Sequence, residues 1–331
     1  MKHDCTNATM IEEQFSDDFA TMIVKDARFI IEVMLRYHFP KLRLDNDIML
    51  TEPRLSQLRR DMGLLENQLP FFILEKLFDP ESITGLSPSD RAGLSVIKLS
   101  YNFFKPLMHV DKGTEGDLED IICSSRPHHF VDLLRSFYVR NHYMKAEAKG
   151  KLRTVPSVKE LQQGDVKFEV LNSSNNLFDI KFLADTKILK IPKVIISHET
   201  ELTIRNVLAF EQCHRTLAEN YMTDYVMFMD RLMSTEEDVR LLAEKKIVKI
   251  LIPKDRSGTI SSKTSAKELI KNLTEGVIVD PNSFYFAELC QNVDKYCRSP
   301  KVVQKTIAVI CLLLSVTANI LQAIICQKNS C

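Results

Sequence analysis

Apolar residues recur every three or four positions between residues 12 and 38. Phe19, Met22, Ile23, Phe29, Ile30, Val33, Met34 and Tyr37 share one face, which predicts an amphipathic helix. Asp26 falls on the same stripe, where a buried carboxylate needs a partner. The helix ends at His38-Phe39-Pro40, because proline disfavours the helical conformation in the residue before it. Pro53 opens a second helix running toward Leu65, and further helices are predicted over residues 89–105 and 127–143.

The run LLENQLPFF breaks this pattern by setting Glu66, Asn67 and Gln68 inside an apolar stretch, just ahead of Pro70. Proline lacks the N–H that a continuous helix needs, so the chain must kink or restart there. A kink buried among Leu64, Leu65, Phe71 and Phe72 strands backbone groups, and the three polar side chains can supply their partners. The expectation is a structural polar clasp of Glu66, Asn67, Gln68 and Pro70, with Asp26 as a further buried polar group. The alternative is a ligand-binding or catalytic carboxylate at Glu66.

Residues 144–160 are basic and poor in large apolar side chains, which predicts an exposed connector. The period then changes from helical to alternating. Val166, Phe168 and Val170 alternate with charged residues, as do Phe178, Ile180 and Phe182, with the turn-forming NSSNN between them. Residues 188–192 and 194–196 add short extended pieces, so a small antiparallel sheet is expected. Helices resume after residue 201. Ser234 followed by Glu237 reads as a capping box opening a helix through Lys245, and two more helices fall near residues 264–274 and 283–297.

Thr306 to Cys326 is 21 residues without a charge. A helix of that length rises about 30 Å, the thickness of a hydrocarbon core, which predicts a single C-terminal transmembrane helix. Cys311, Ser315, Asn319, Gln322 and Cys326 fall on one face of it, a small and polar stripe suited to helix–helix contact. Lys295, Arg298, Lys301 and Lys305 outnumber Lys328, so the positive-inside rule predicts a tail anchor with a cytosolic body. The alternative is a long helix buried in the core.

The expected class is therefore mostly α with a small antiparallel β-sheet (α+β). The organisation is a tail over 1–14, one α-rich domain over 15–298, a membrane span over 306–326 and a short end over 327–331. Lys plus Arg equals Asp plus Glu at 44 each, which argues against a dedicated nucleic-acid binder. None of the 9 glycines stands in a phosphate-binding or nucleophile-elbow pattern, and no cofactor is called for. The 8 cysteines form no CxxC pair and suit buried thiols in a reducing compartment. His128 and His129 are adjacent, so they diverge on a helix and lack a third spaced ligand for zinc. The acidic start has no apolar signal core, and the three Asn-x-Ser/Thr tripeptides are expected to be unused.

The stretches DMGLLENQLPFFILEKLF, HFVDLLRSF, VKELQQGDVKFEV, KILKIPKVIISHETELTIRNVLAFEQC and YVMFMDRLMSTEEDVRLLAEKKIV together resemble the plant domain-of-unknown-function family numbered 247. That family is also called uncharacterised protein family 0481. The resemblance runs from about Phe15 to Cys297. Family members begin with a longer region carrying a Gly-Pro-Tyr-His-His-Gly-like motif, and their tails carry tryptophan, whereas this chain starts after that motif and has no Trp. The resemblance implies no established activity. Some members are linked to pollen-side self-incompatibility in grasses, which implies recognition by protein contact.

Three functional expectations follow. The first is a membrane-anchored interaction or recognition module, not an enzyme, with a protein partner or a second copy bound. The second is a hydrolytic enzyme using Asp26 or Glu66 with a histidine, Glu199 and Glu211 being lesser candidates. The third is a truncated family copy.

Overall fold

A computed structural model describes residues 17–44, 48–108, 126–139, 149–172, 176–214, 219–251 and 265–297. The backbone divides into two compact units, Met1–Asn141 and His142–Cys331.

The first unit is helical. Helix α1 (Asp17–His38) packs on α3 (Phe71–Leu77) and α5 (Val96–Met108). Helix α5 also packs on α2 (Glu52–Met62) and α6 (Phe130–Tyr138). The predicted helix over 89–105 is two helices, α4 (Pro88–Arg91) and α5, parted at Gly93. Gly93 has φ +68°, a left-handed conformation that side-chain-bearing residues avoid. The core is aromatic: Phe104 and Phe130 are fully buried with ring centroids 5.1 Å apart, and Phe71 meets Phe130 edge-on at 5.2 Å. Arg59 is buried too. Its Nε donates to the Phe103 carbonyl at 2.8 Å, and its guanidinium lies 4.8 Å from the Tyr37 ring centroid.

The second unit is α+β. Strands β1 (Lys167–Val170), β2 (Lys181–Leu183) and β3 (Ile188–Ile191) form one sheet in the order β1-β3-β2. Strand β3 runs parallel to β1 and antiparallel to β2, with Phe168 and Phe182 both opposite Leu189. Strands β4 (Val194–Ile196) and β5 (Val248–Ile250) form a separate parallel pair. The expected antiparallel sheet is thus corrected to one mixed and one parallel sheet, because β1 and β5 arrive from helices rather than from hairpins. Helices α7 (Val158–Gln163) and α10 (Glu236–Glu244) precede β1 and β5, and they pack on each other. Helices α8 (His198–His214), α9 (Tyr221–Leu232) and α11 (Ala266–Thr274) pack together, with α8 also on β4. Helix α12 (Ala287–Cys297) lies on β2.

Helices α7 and α10 are built alike. Each starts with a capping box, Ser157 with Glu160 and Thr235 with Asp238. The second box sits one residue later than the Ser234/Glu237 pair expected from sequence. Each helix ends in a paired reverse turn: Val166 N bonds Leu161 O and Asp165 N bonds Gln162 O, while Ile247 N bonds Leu242 O and Lys246 N bonds Ala243 O. Asp165 and Lys246 hold the left-handed position at φ 65° and 60°. Leu161 and Val166 are buried, as are Leu242 and Ile247, the positions at which this turn sets an apolar residue on either side of the helix end, and a strand follows each time.

The expected transmembrane helix, tail anchor and membrane localisation are corrected. Among the described residues no helix is long and apolar enough to cross a membrane. Helix α1 has the length, at 22 residues, but carries Asp18, Lys25, Asp26, Arg28, Glu32 and Arg36. Charges at that density exclude a lipid-facing span. The run over 306–326, with the Cys311, Ser315, Asn319, Gln322 and Cys326 face, lies outside the described residues.

Candidate functional site

Pro70 caps α3 without an N–H, and the next donor, Phe71 N, bonds the His128 carbonyl at 2.7 Å. Gln68 holds the junction. Its Nε2 donates to Met62 O at 2.9 Å and to Leu64 O at 2.5 Å, and its Oε1 accepts from Val131 N at 3.1 Å. One amide therefore ties the end of α2 to the start of α6. Asn67 Nδ2 adds a bond to Asp61 O at 3.1 Å. Glu66 and Pro70 are exposed, and so is Asp26 on α1. No hydrogen bond or ion pair joins Asp26 or Glu66 to Asn67 and Gln68 among the described residues.

His128 and His129 serve the first turn of α6. His129 is its N-cap and accepts from Asp132 N, while the Asp132 carboxylate accepts from His128 N at 3.0 Å. Among the described residues no group of acidic, histidine or cysteine side chains could hold a metal ion.

The apolar stripe of α1 explains why Asp26 tolerates its position. Ala27, Ile30, Ile31, Val33 and Met34 are buried, but Phe19, Met22 and Phe29 are 41%, 47% and 44% exposed. Phe19, Met22, Asp26 and Phe29 share a neighbouring face that stays exposed, so Asp26 is not buried with Ala27, Ile30 and Met34. Beside Phe29 the surface opens into a groove with an empty volume of about 1030 Å³. Ile31, Val33 and Leu50 form its buried lining, and Phe29, Met49 and Leu77 are its partly exposed apolar walls. Arg28, Glu32 and Arg36 also line it, Arg36 Nε lying 2.7 Å from Glu32.

The second unit holds a buried ionic cluster that sequence reasoning missed. Lys149, inside the stretch expected to be an exposed connector, has a side chain only 7% exposed. Its Nζ is 3.2 Å from Asp224 Oδ2 and 4.0 Å from the Tyr221 ring centroid. Tyr285 N donates to the same carboxylate oxygen at 2.9 Å. Burial pushes the Asp224 pKa up to about 6, against the lowering pull of Lys149 and Tyr285. Fully buried Glu211 accepts from Met222 N, Thr223 N and Thr223 Oγ1 at 3.0 to 3.2 Å, so it caps the start of α9. Glu199 is half-buried in the first turn of α8. A general base must have an oxygen turned toward substrate, whereas the Glu211 oxygens already face backbone donors.

A smaller cleft of about 440 Å³ empty volume lies among β4, α8, α9 and α11, with Ile196, Ile204, Met229 and Leu273 in its lining. Its polar residues are spent locally: Ser197 and Thr200 hydroxyls bond each other at 3.0 Å, and Glu201 pairs with Arg205.

The family model described as plant protein of unknown function, DUF247, matches residues 4–325. The chain belongs to this family. A UPF0481 protein of Arabidopsis thaliana is 27% identical over 316 residues, covering 87% of this chain and 62% of the relative. A second, putative UPF0481 protein of Arabidopsis thaliana is 28% identical over 95 residues, covering 29% of this chain and 18% of the relative. The chain thus spans about six-tenths of the length of the first relative. No solved structure matches this DUF247 chain.

Proposed function

We propose that this DUF247 chain is a protein-interaction module, and that the groove beside α1 is its contact surface. The observation that carries the reading is the ring of Phe29, Met49 and Leu77, each more than a third exposed around one opening. Single exposed apolar residues are ordinary, but several gathered on one concave surface mark a contact site. The buried acids favour the same reading over hydrolysis. Glu211 and Asp238 are occupied as helix caps and Asp224 is held by Lys149.

Placing a photo-cross-linking phenylalanine analogue at Phe29, with a control at Phe72, tests the proposal. Phe72 is 65% exposed and does not line the groove. A discrete adduct is expected from position 29 alone, and it should vanish when Leu77→Glu is added. Equal adducts from both positions, or adducts indifferent to Leu77→Glu, would remove the groove from this role.

A further inference from the structure

The charges around the groove say what kind of partner it suits. Arg36 is paired with Glu32, but Arg28 is exposed and has no ion-pair partner among the described residues. Arg54 is also exposed. Its Nη1 lies 3.7 Å from Met49 Sδ, at the Met49 wall, and no carboxylate pairs with it among the described residues. An apolar channel is therefore flanked by two arginines, Arg28 and Arg54, that no ion pair among the described residues engages.

Building on the interaction reading above, we propose that the groove binds an amphipathic helix of a partner protein whose polar flanks are acidic. Helix-in-groove recognition needs an apolar channel that takes side chains at i, i+3 or i+4 and i+7. The buried floor of Ile31, Val33 and Leu50 and the walls of Phe29, Met49 and Leu77 supply one. Carboxylates on the helix flanks would meet Arg28 and Arg54 at the rim, where opposite charge raises the rate of encounter and rejects basic helices. A basic helix laid in the same channel would set its lysines against both arginines. A second copy of this chain would have to present an acid-flanked apolar helix to qualify.

Two fluorescent helical peptides of about 18 residues, five turns, test this with the full chain. They share leucine anchors and differ only in carrying Glu or Lys on the flanks. Fluorescence anisotropy is read at about 0.05 M and about 0.5 M salt, which spans weak to strong screening. The acidic peptide should bind the wild-type chain, more weakly at high salt, and the basic peptide should bind at least about tenfold more weakly. Arg28→Glu with Arg54→Glu should reverse that order, and Phe29→Asp or Leu77→Ser should abolish binding of both peptides. Circular dichroism of each variant, matched to wild type, confirms that it has folded. If both peptides bind equally and Phe29→Asp abolishes both, the interaction reading stands and the acidic partner is wrong. If acidic-peptide binding survives both Phe29→Asp and Leu77→Ser, or neither peptide binds, the groove is not a helix site and the inference fails.

Discussion

Replacing Asp238 with alanine should destabilise the second unit far more than its position on a nine-residue helix suggests. The side chain is fully buried and serves two helix starts at once. Its Oδ2 accepts from Thr235 N at 2.9 Å, Thr235 Oγ1 at 2.7 Å and Ser234 Oγ at 3.1 Å, all at the start of α10. Its Oδ1 reaches across to α7 and accepts from Lys159 N at 2.8 Å. Losing a cap costs about 1 kcal/mol per helix, and a buried donor left without a partner costs about 1–3 kcal/mol. Together these place Asp238→Ala at about 3–5 kcal/mol. Glu237→Ala next door breaks only exposed pairs, with Lys159 and with Arg240, and should leave stability almost unchanged. Urea unfolding should be followed together with amide exchange at Lys159 and Thr235, because two compact units need not unfold as one. Acid gives a second reading. Burial pushes the Asp238 pKa up, but the bonds from Thr235, Lys159 and Ser234 outweigh it and leave it below the ordinary 3.8. A carboxylate with a depressed folded-state pKa stabilises above its unfolded value and loses that contribution as pH falls through the folded one. The gap between wild type and Asp238→Ala should therefore close below about pH 3.8. A cost no larger than that of Glu237→Ala, or a gap that persists in acid, would show that the double cap does not hold the two helices.

Gln68→Glu should destabilise the first unit by about 2–3 kcal/mol, since it turns an acceptor toward the Met62 and Leu64 carbonyls, while Glu66→Ala should change urea stability by less than about 0.5 kcal/mol. Asp224 has a folded pKa raised from 3.8 to about 6, so the folded state holds the extra proton and wild-type stability should fall as pH rises from about 4 to about 6. That fall is at most about 3 kcal/mol. Asp224→Asn should flatten the dependence in a urea series across that window, and an unchanged slope would assign it to another group.

The helices were legible because a 3.6-residue period survives wherever one face is buried, as along the second half of α1. The same stripe misled at Asp26. Periodicity shows that a wide sector is apolar but not which part of it is covered: Ala27, Ile30 and Met34 are buried, whereas Phe19, Met22, Asp26 and Phe29 lie on the exposed flank. Strand positions near 167–170 and 188–191 could be read from alternation, whereas strand direction could not. Val194 pairs with Val248 across 54 residues, and β5 is only three residues long, too short to show a period. The capping box slipped by one because Ser234 and Thr235 are equivalent caps on paper. The structure chooses Thr235 because Asp238, not Glu237, is the buried acid that can return the bond. Lys149 was hidden by its company: basic neighbours suggested solvent, yet its charge answers an aspartate 75 residues away. The groove left no local mark, since it arises only where α1, the segment before α2 and the end of α3 converge.

The joint between β3 and β4 is only Pro192 and Lys193, so two sheets must be completed from one continuous stretch of chain. The first closes early: Lys167 pairs with Ile188 over 21 residues. The second waits for Val248. At about 5–20 residues per second of synthesis, Val194-Ile195-Ile196 leaves the ribosome roughly 3 to 11 seconds before its mate, an open apolar edge during that interval. Biogenesis of this unit thus passes through a half-paired state, and slowing elongation between residues 196 and 248 should lengthen the time that nascent chains spend exposed to aggregation or to chaperones.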